Sequence, residues 1–544
     1  MIGANRTRRS KNIILCSDGT GNRVGKHRGT NVWKLYRALD RHGHKDDSDG
    51  VEQISFYDDG VGSGDFKLFK VLGGVFGWGL SRSVRDLYTF LVNNYEPGDR
   101  VYLFGFSRGA FTVRALAGMI CACGVLDRNK CTSNQMLKDQ VKKALKVYRK
   151  NAEKPEATQL FREEWGIFDD ELAPNGHVNI KLIGVWDTVD AVGTPFDELR
   201  DWLSNFKILR YRFPNHELHE WVENGFHAVS IDDERHSFLP IMWNENNKTA
   251  HQRIEQVWFS GAHSNVGGGY PSNELSSIPL DWMMGKAEQE GLRFTTGSRV
   301  KIRNDANIYG KLYDSRAGLA AFYRYSPRDI PKICEENGIK VPRIHVSVID
   351  RIIRGVNEYA PGNLSSILKI IPTDDEHSPF GEDKQSIEDL ERDLQHSQHA
   401  RSEKLGKTKV MIGARKGLYY LSLIYSISTV VTALYFVSTV SQISVEEGDG
   451  LSWLGESRRA FVTYLVPDFV LNFLDAFFAH PIFSLIVAAN LVLLLDARRR
   501  LVSRMRNHCV DAWNLSQSVQ EVDNEALESI KNDEFHGEGS ANVG

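Results

Sequence analysis

The sequence predicts an α/β domain built on a mostly parallel sheet with flanking helices, followed by a C-terminal transmembrane helical hairpin. Three observations carry this: short apolar runs ending in glycine, aspartate or serine, helical patterns between them, and two long uncharged runs near the C-terminus. Strand-length runs alternating with helical periodicity are the pattern of parallel strands joined by crossover helices. At 544 residues the chain exceeds one ordinary hydrophobic core, so a large domain and a smaller appendage are expected.

The strands expected are residues 12–16 (NIILC), 53–57 (QISFY), 101–104 (VYLF), 181–186 (KLIGVW) and 256–260 (QVWFS). Residues 31–39 and 80–92 read as helices between them. In a sheet of this kind ligands bind at the carboxyl ends of the strands. Residues 271–371 are less regular and read as a cap or an extension of the same domain, which we place at 1–372 with a core of about 11–345. From 373 to 410 the chain is dense in charge and poor in large apolar residues, the composition of a solvated linker or an exposed helix.

Residues 411–506 read as a membrane hairpin. Its first helix, 417–440, has no charged residue over 24 positions, and its second, 477–495, is interrupted only by His480 and Pro481. Arg415 and Lys416 precede the first run, and Arg498, Arg499, Arg500, Arg504 and Arg506 follow the second. The connecting loop is mainly acidic, so both ends of the hairpin are expected in the cytoplasm. Residues 507–544 form a polar tail.

The net charge of −3 shows no basic excess and argues against a nucleic-acid partner. Six scattered cysteines fit buried thiols in a reducing compartment. The N-terminal apolar run, 13–16, is too short for a signal peptide, so the large domain is expected on the side of the membrane where it was made.

The chemistry is expected at strand ends. Gly105-Phe106-Ser107-Arg108-Gly109 matches G-x-S-x-G between an expected strand and an expected helix, the context of a strained turn that exposes a serine hydroxyl. The Arg108 N–H, at the helix start, is a first donor to a developing oxyanion. A second could come from Gly19 or Thr20 after the first strand, with Asp18 bracing that loop. A serine needs a histidine base and an acid to orient it, in the chain order serine, acid, histidine. Asp187 ends the strand at 181–186. His263 follows the strand at 256–260 and is favoured over His227 and His236. The other readings are a metal site from Asp18, Asp58 and Asp59, supporting phosphatase chemistry, and a binding or scaffold protein that no longer turns over.

SDGTGN, YDDGVG, GFSRGA, GVWDTV and HSNVGGGY together resemble the DUF2235 family of α/β-hydrolases, which includes the Tle1-type phospholipase effectors of type VI secretion. The resemblance implies Ser107 as nucleophile, Asp187 as acid and His263 as base of an esterase or phospholipase acting on lipid esters without a cofactor. Asn265 stands where members often carry aspartate, and Ser17 where an aromatic residue is common. The hairpin's flanking charges fit a resident membrane-anchored hydrolase rather than a delivered toxin.

Overall fold

A computed structural model describes residues 10–19, 29–41, 51–60, 74–150, 155–190, 217–372, 384–440 and 481–513. Among them eight strands form one sheet: β1 (Asn12–Ser17), β2 (Gln53–Asp58), β3 (Arg100–Phe106), β4 (Ile180–Trp186), β5 (Val222–Ser230), β6 (Arg253–Phe259), β7 (Arg343–His345) and β8 (Lys369–Ile371). Their order is β2-β1-β3-β4-β5-β6-β7-β8, and every neighbouring pair is parallel.

Helices cover both faces, which explains why the central strands read as continuous apolar runs rather than alternating ones. Ile13 and Leu15 of β1 pack with residues of α2 (Gly74–Asn94) and α3 (Arg108–Cys123). Ile14 and Cys16 point the other way, into a cluster with α1 (Asn31–Ala38) and the helix Glu274–Gln289. Residues 271–371 extend this domain, since β7 and β8 add to the sheet edge beyond β6.

The chain leaves β1 for β2 on one side, then crosses to β3 on the other. This reversal opens a crevice between the carboxyl ends of β1 and β3, the position where open α/β sheets place their ligands. Ser17 and Phe106 end these two strands, so Asp18 and Ser107, the residues that follow them, lie at this end of the sheet.

The chain divides into two compact units, residues 1–403 with 512–544, and residues 404–511. In the second, the helices Gln398–Val440 and Pro481–Trp513 run antiparallel. Lys404 Nζ donates to the Asp511 carbonyl at 2.9 Å, Thr408 Oγ1 lies 3.8 Å from Cys509 Sγ, and Tyr425 OH donates to the Ile486 carbonyl at 3.4 Å. Large apolar side chains on both helices are exposed, among them Ile424, Val431, Ile482 and Leu485. Among the described residues one helix, Pro481–Trp513, is long and apolar enough to cross a membrane by length and composition. The run 417–440 is the C-terminal part of Gln398–Val440. Residues 477–480, the loop between the two runs, residues 373–383 and most of the tail lie outside the described residues, and 384–396 of the charged stretch is helical.

Candidate active site

Ser107 stands between β3 and α3 with φ 59° and ψ −123°, a backbone conformation that an L-residue adopts only under constraint. The constraint comes from both sides, because Ser107 N–H donates to the Trp186 carbonyl at 3.0 Å and its own carbonyl accepts from Phe111 N–H. The two glycines of the motif have steric reasons. A Cβ on Gly105 would lie 2.5 Å from the Gly109 carbonyl, and one on Gly109 would lie 2.1 Å from the Ser17 carbonyl. Only glycines let the turn close and α3 sit against the end of β1.

Asp187 follows β4 directly, also in the left-handed region, at φ 38°. His263 begins the short helix His263–Gly267 just after β6. The three residues meet: His263 Nε2 lies 2.8 Å from Ser107 Oγ, and His263 Nδ1 lies 2.5 Å from Asp187 Oδ2. Ser107, His263 and Asp187 are all buried. The rings of Phe106 and Phe238 flank the imidazole, with centroids 4.6 and 4.9 Å away. His227 is elsewhere engaged: it lies within β5, accepts from Thr188 N–H at 3.1 Å, and burial pushes its pKa down to about 3.

Burial alone would raise the Asp187 carboxyl, but Arg328 and then His263 more than offset it and hold it well below the usual carboxylate range. For His263 burial lowers the pKa, the hydrogen bond and charge of Asp187 work against that, and the net direction is downward. The imidazole is therefore favoured in its neutral form, the form that accepts a proton.

Asp18 braces the loop after β1. It accepts from Thr30 Oγ1 at 2.5 Å, Tyr57 OH at 2.6 Å and Gly19 N–H at 2.6 Å, tying the end of β1 to β2 and to the start of α1. Gly19 N–H is thus directed at Asp18 in this conformation rather than into the crevice. Thr20 lies outside the described residues, and Arg108 is the first residue of α3. Asp58 accepts from Ser17 Oγ at 2.9 Å, and Asp59 is exposed. Among the described residues, no three or more His, Cys, Asp or Glu side chains are grouped so as to hold a metal ion. All six cysteines are free thiols and buried.

Residues 11–286 match the Tle1-like phospholipase effector catalytic domain of type VI secretion systems. The chain belongs to this family. Over 249 residues it is 34% identical to an uncharacterized protein of Saccharomyces cerevisiae, a match covering 42% of this chain and 32% of that protein. An uncharacterized protein from Pseudomonas aeruginosa, known by crystal structure, is 20% identical at a TM-score of 0.32, covering 55% of this chain and 49% of that one. The chain thus spans about a third of the curated relative and about half of the solved chain.

Three residues of this Tle1-like protein that no motif marks also touch the site. Ser230, at the end of β5, donates its N–H to Asp187 Oδ1 at 2.9 Å. Asp233 accepts from His263 N–H at 3.2 Å and is paired with Arg235 at 2.7 Å. Arg328, downstream of the matched residues, reaches Asp187 with both terminal nitrogens, Nη1 to Oδ1 at 2.6 Å and Nη2 to Oδ2 at 2.8 Å. Asn265 joins the His263 helix to a neighbouring loop: its Oδ1 accepts from Ala262 N–H and Tyr313 N–H, and its Nδ2 donates to the Lys311 carbonyl.

Proposed function

We propose that this protein is a membrane-anchored serine hydrolase of lipid esters. The observation that carries the reading is the hydrogen-bonded chain Ser107–His263–Asp187 with its serine on a strained strand-to-helix turn. Ser107 Oγ attacks the acyl carbonyl carbon as its proton passes to His263 Nε2, and Asp187 holds the ring and balances the imidazolium. The ester C–O bond breaks, the leaving alcohol takes the proton from His263, and the acyl group stays on Ser107. Water then attacks the acyl carbonyl as its proton passes to the same imidazole, the acyl–Oγ bond breaks, and His263 returns the proton to Ser107 Oγ as the carboxylic acid leaves. The Arg108 N–H and the start of α3 stabilise the oxyanion in both steps. Family membership supports a lipid ester as substrate.

The second unit is the anchor. Its antiparallel helices, their outward apolar side chains and the basic residues beyond both runs support a two-helix hairpin with the hydrolase domain and C-terminus in the cytoplasm. Confinement to the bilayer raises the effective concentration of a membrane-borne ester. The test is a fluorophosphonate probe on the full chain, followed by peptide mapping. The adduct is expected on Ser107 and absent from Ser107→Ala; labelling that persists in Ser107→Ala contradicts the reading.

A further inference from the structure

We propose that Arg328 is a positioning residue of this site, fixing the Asp187 carboxylate in the orientation that meets His263 and drawing part of its negative charge away from the imidazole. The proposal rests on Ser107, His263 and Asp187 acting as proposed above. Asp187 is fully buried, and a buried carboxylate facing a histidine alone would pull strongly for the imidazolium. Here the carboxylate also faces a fixed cation. Arg328 is 1% exposed and grips both oxygens in a fork, while Nη1 also donates to the Ser230 carbonyl at 2.5 Å and Nη2 to the Phe238 carbonyl at 2.6 Å. Such two-pronged pairing sets the plane of a carboxylate as well as its charge.

The fold puts Arg328 there by backbone pairing. Ser326 N–H donates to the Glu234 carbonyl at 2.8 Å and His236 N–H to the Arg324 carbonyl at 2.9 Å, laying this segment along the loop that carries Asp233 and Arg235. Asp329 then caps the helix Ile330–Glu336 and fixes the chain beyond it. The charged groups acting on His263 are therefore Asp187 from the end of β4 and Asp233 and Arg235 from the loop after β5. Arg328 acts on it through Asp187, both of whose oxygens it shares.

Removing the guanidinium leaves Asp187 to share its charge with His263, so a proton enters the pair at higher pH and the neutral base is lost earlier. The test is the pH dependence of fluorophosphonate labelling of Ser107 in the full chain, alongside thermal unfolding. In Arg328→Gln the acid limb is expected to rise by about one pH unit, a tenfold larger protonated fraction at a given pH on that limb. Arg328→Lys keeps the charge without the fork, so its limb is expected near that of wild type with a several-fold lower plateau. A lower unfolding temperature in Arg328→Gln with an unmoved limb overturns the proposal. If Arg328→Gln does not fold, Arg328→Lys decides alone: a lower plateau supports the proposal and an unchanged one overturns it. A wild type that fails to label Ser107 removes the catalytic reading and this proposal with it, whereas a labelled wild type with unaltered Arg328 variants removes this proposal alone.

Discussion

Asp187→Asn should disable the site and strain the fold together. The carboxylate has both oxygens committed, Oδ1 to Arg328 and Ser230 N–H, Oδ2 to Arg328 and His263 Nδ1. An amide offers one acceptor and one donor. With its NH2 toward His263 it donates to Nδ1, so the ring carries its proton on Nε2 and no longer accepts from Ser107. With its NH2 toward Arg328 and Ser230 it faces only donors. Selecting the wrong tautomer in a site of this type costs on the order of 10⁴ in kcat, about 5 kcal/mol of barrier. Removing the carboxylate also leaves a buried guanidinium without its counter-charge, for which losses of about 3–5 kcal/mol are typical. The carbonyls of Ser230 and Phe238 still accept from Arg328, so we expect the lower end, about 3 kcal/mol. Labelling rate by a fluorophosphonate and calorimetric unfolding, both on the full chain, read the two effects. A folded Asp187→Asn that labels within tenfold of wild type refutes the role given to Asp187, and an unchanged unfolding temperature refutes the energetic argument.

Gly109→Ala places a methyl 2.1 Å from the Ser17 carbonyl, a contact no rotamer relieves, so stability should fall by about 1–3 kcal/mol in chemical denaturation. Because burial lowers the His263 pKa from the ordinary 6.5, the acid limb of kcat/KM should be centred below pH 6.5; an acid limb centred above pH 6.5 contradicts this. Asn265→Asp removes the donor to the Lys311 carbonyl and sets a carboxylate against it, so an unfolding loss of about 1–3 kcal/mol is expected, while the acceptor to Ala262 and Tyr313 remains. Alkaline carbonate should leave the full chain in the membrane pellet, and in intact cells both termini should resist added protease; extraction into the supernatant contradicts a spanning hairpin.

Much of this was legible because parallel strands buried on both faces are plain apolar runs, as 12–16, 101–104 and 181–186 are. β5 is not legible as a strand because VENGFHAVS carries Glu223, Asn224, Gly225 and His227 in its first six positions, residues that read as a turn. Its polar groups are satisfied in place: Asn224 Nδ2 donates to the Lys181 carbonyl at 3.0 Å, and His227 accepts from Thr188 N–H. β7 and β8 are three residues each, too short for periodicity to register. At the site, Ser107, Asp187 and His263 stand at strand ends with recognisable neighbours. Arg328 does not: it sits 141 residues from Asp187 in an irregular stretch, and only the antiparallel contact with residues 234–236 brings it in. Residues that act on a carboxylate from a distant loop leave no local spacing to read.

The proposed reaction is cleavage of a lipid ester bond by Ser107. The direct measurement is hydrolysis of defined phospholipid vesicles by the purified full chain, with products identified by mass spectrometry, wild type beside Ser107→Ala and both with a chelator present. Fatty acid should be released by wild type and be undetectable from Ser107→Ala. Fatty acid released equally by both proteins, or phosphate released in place of fatty acid, would contradict it.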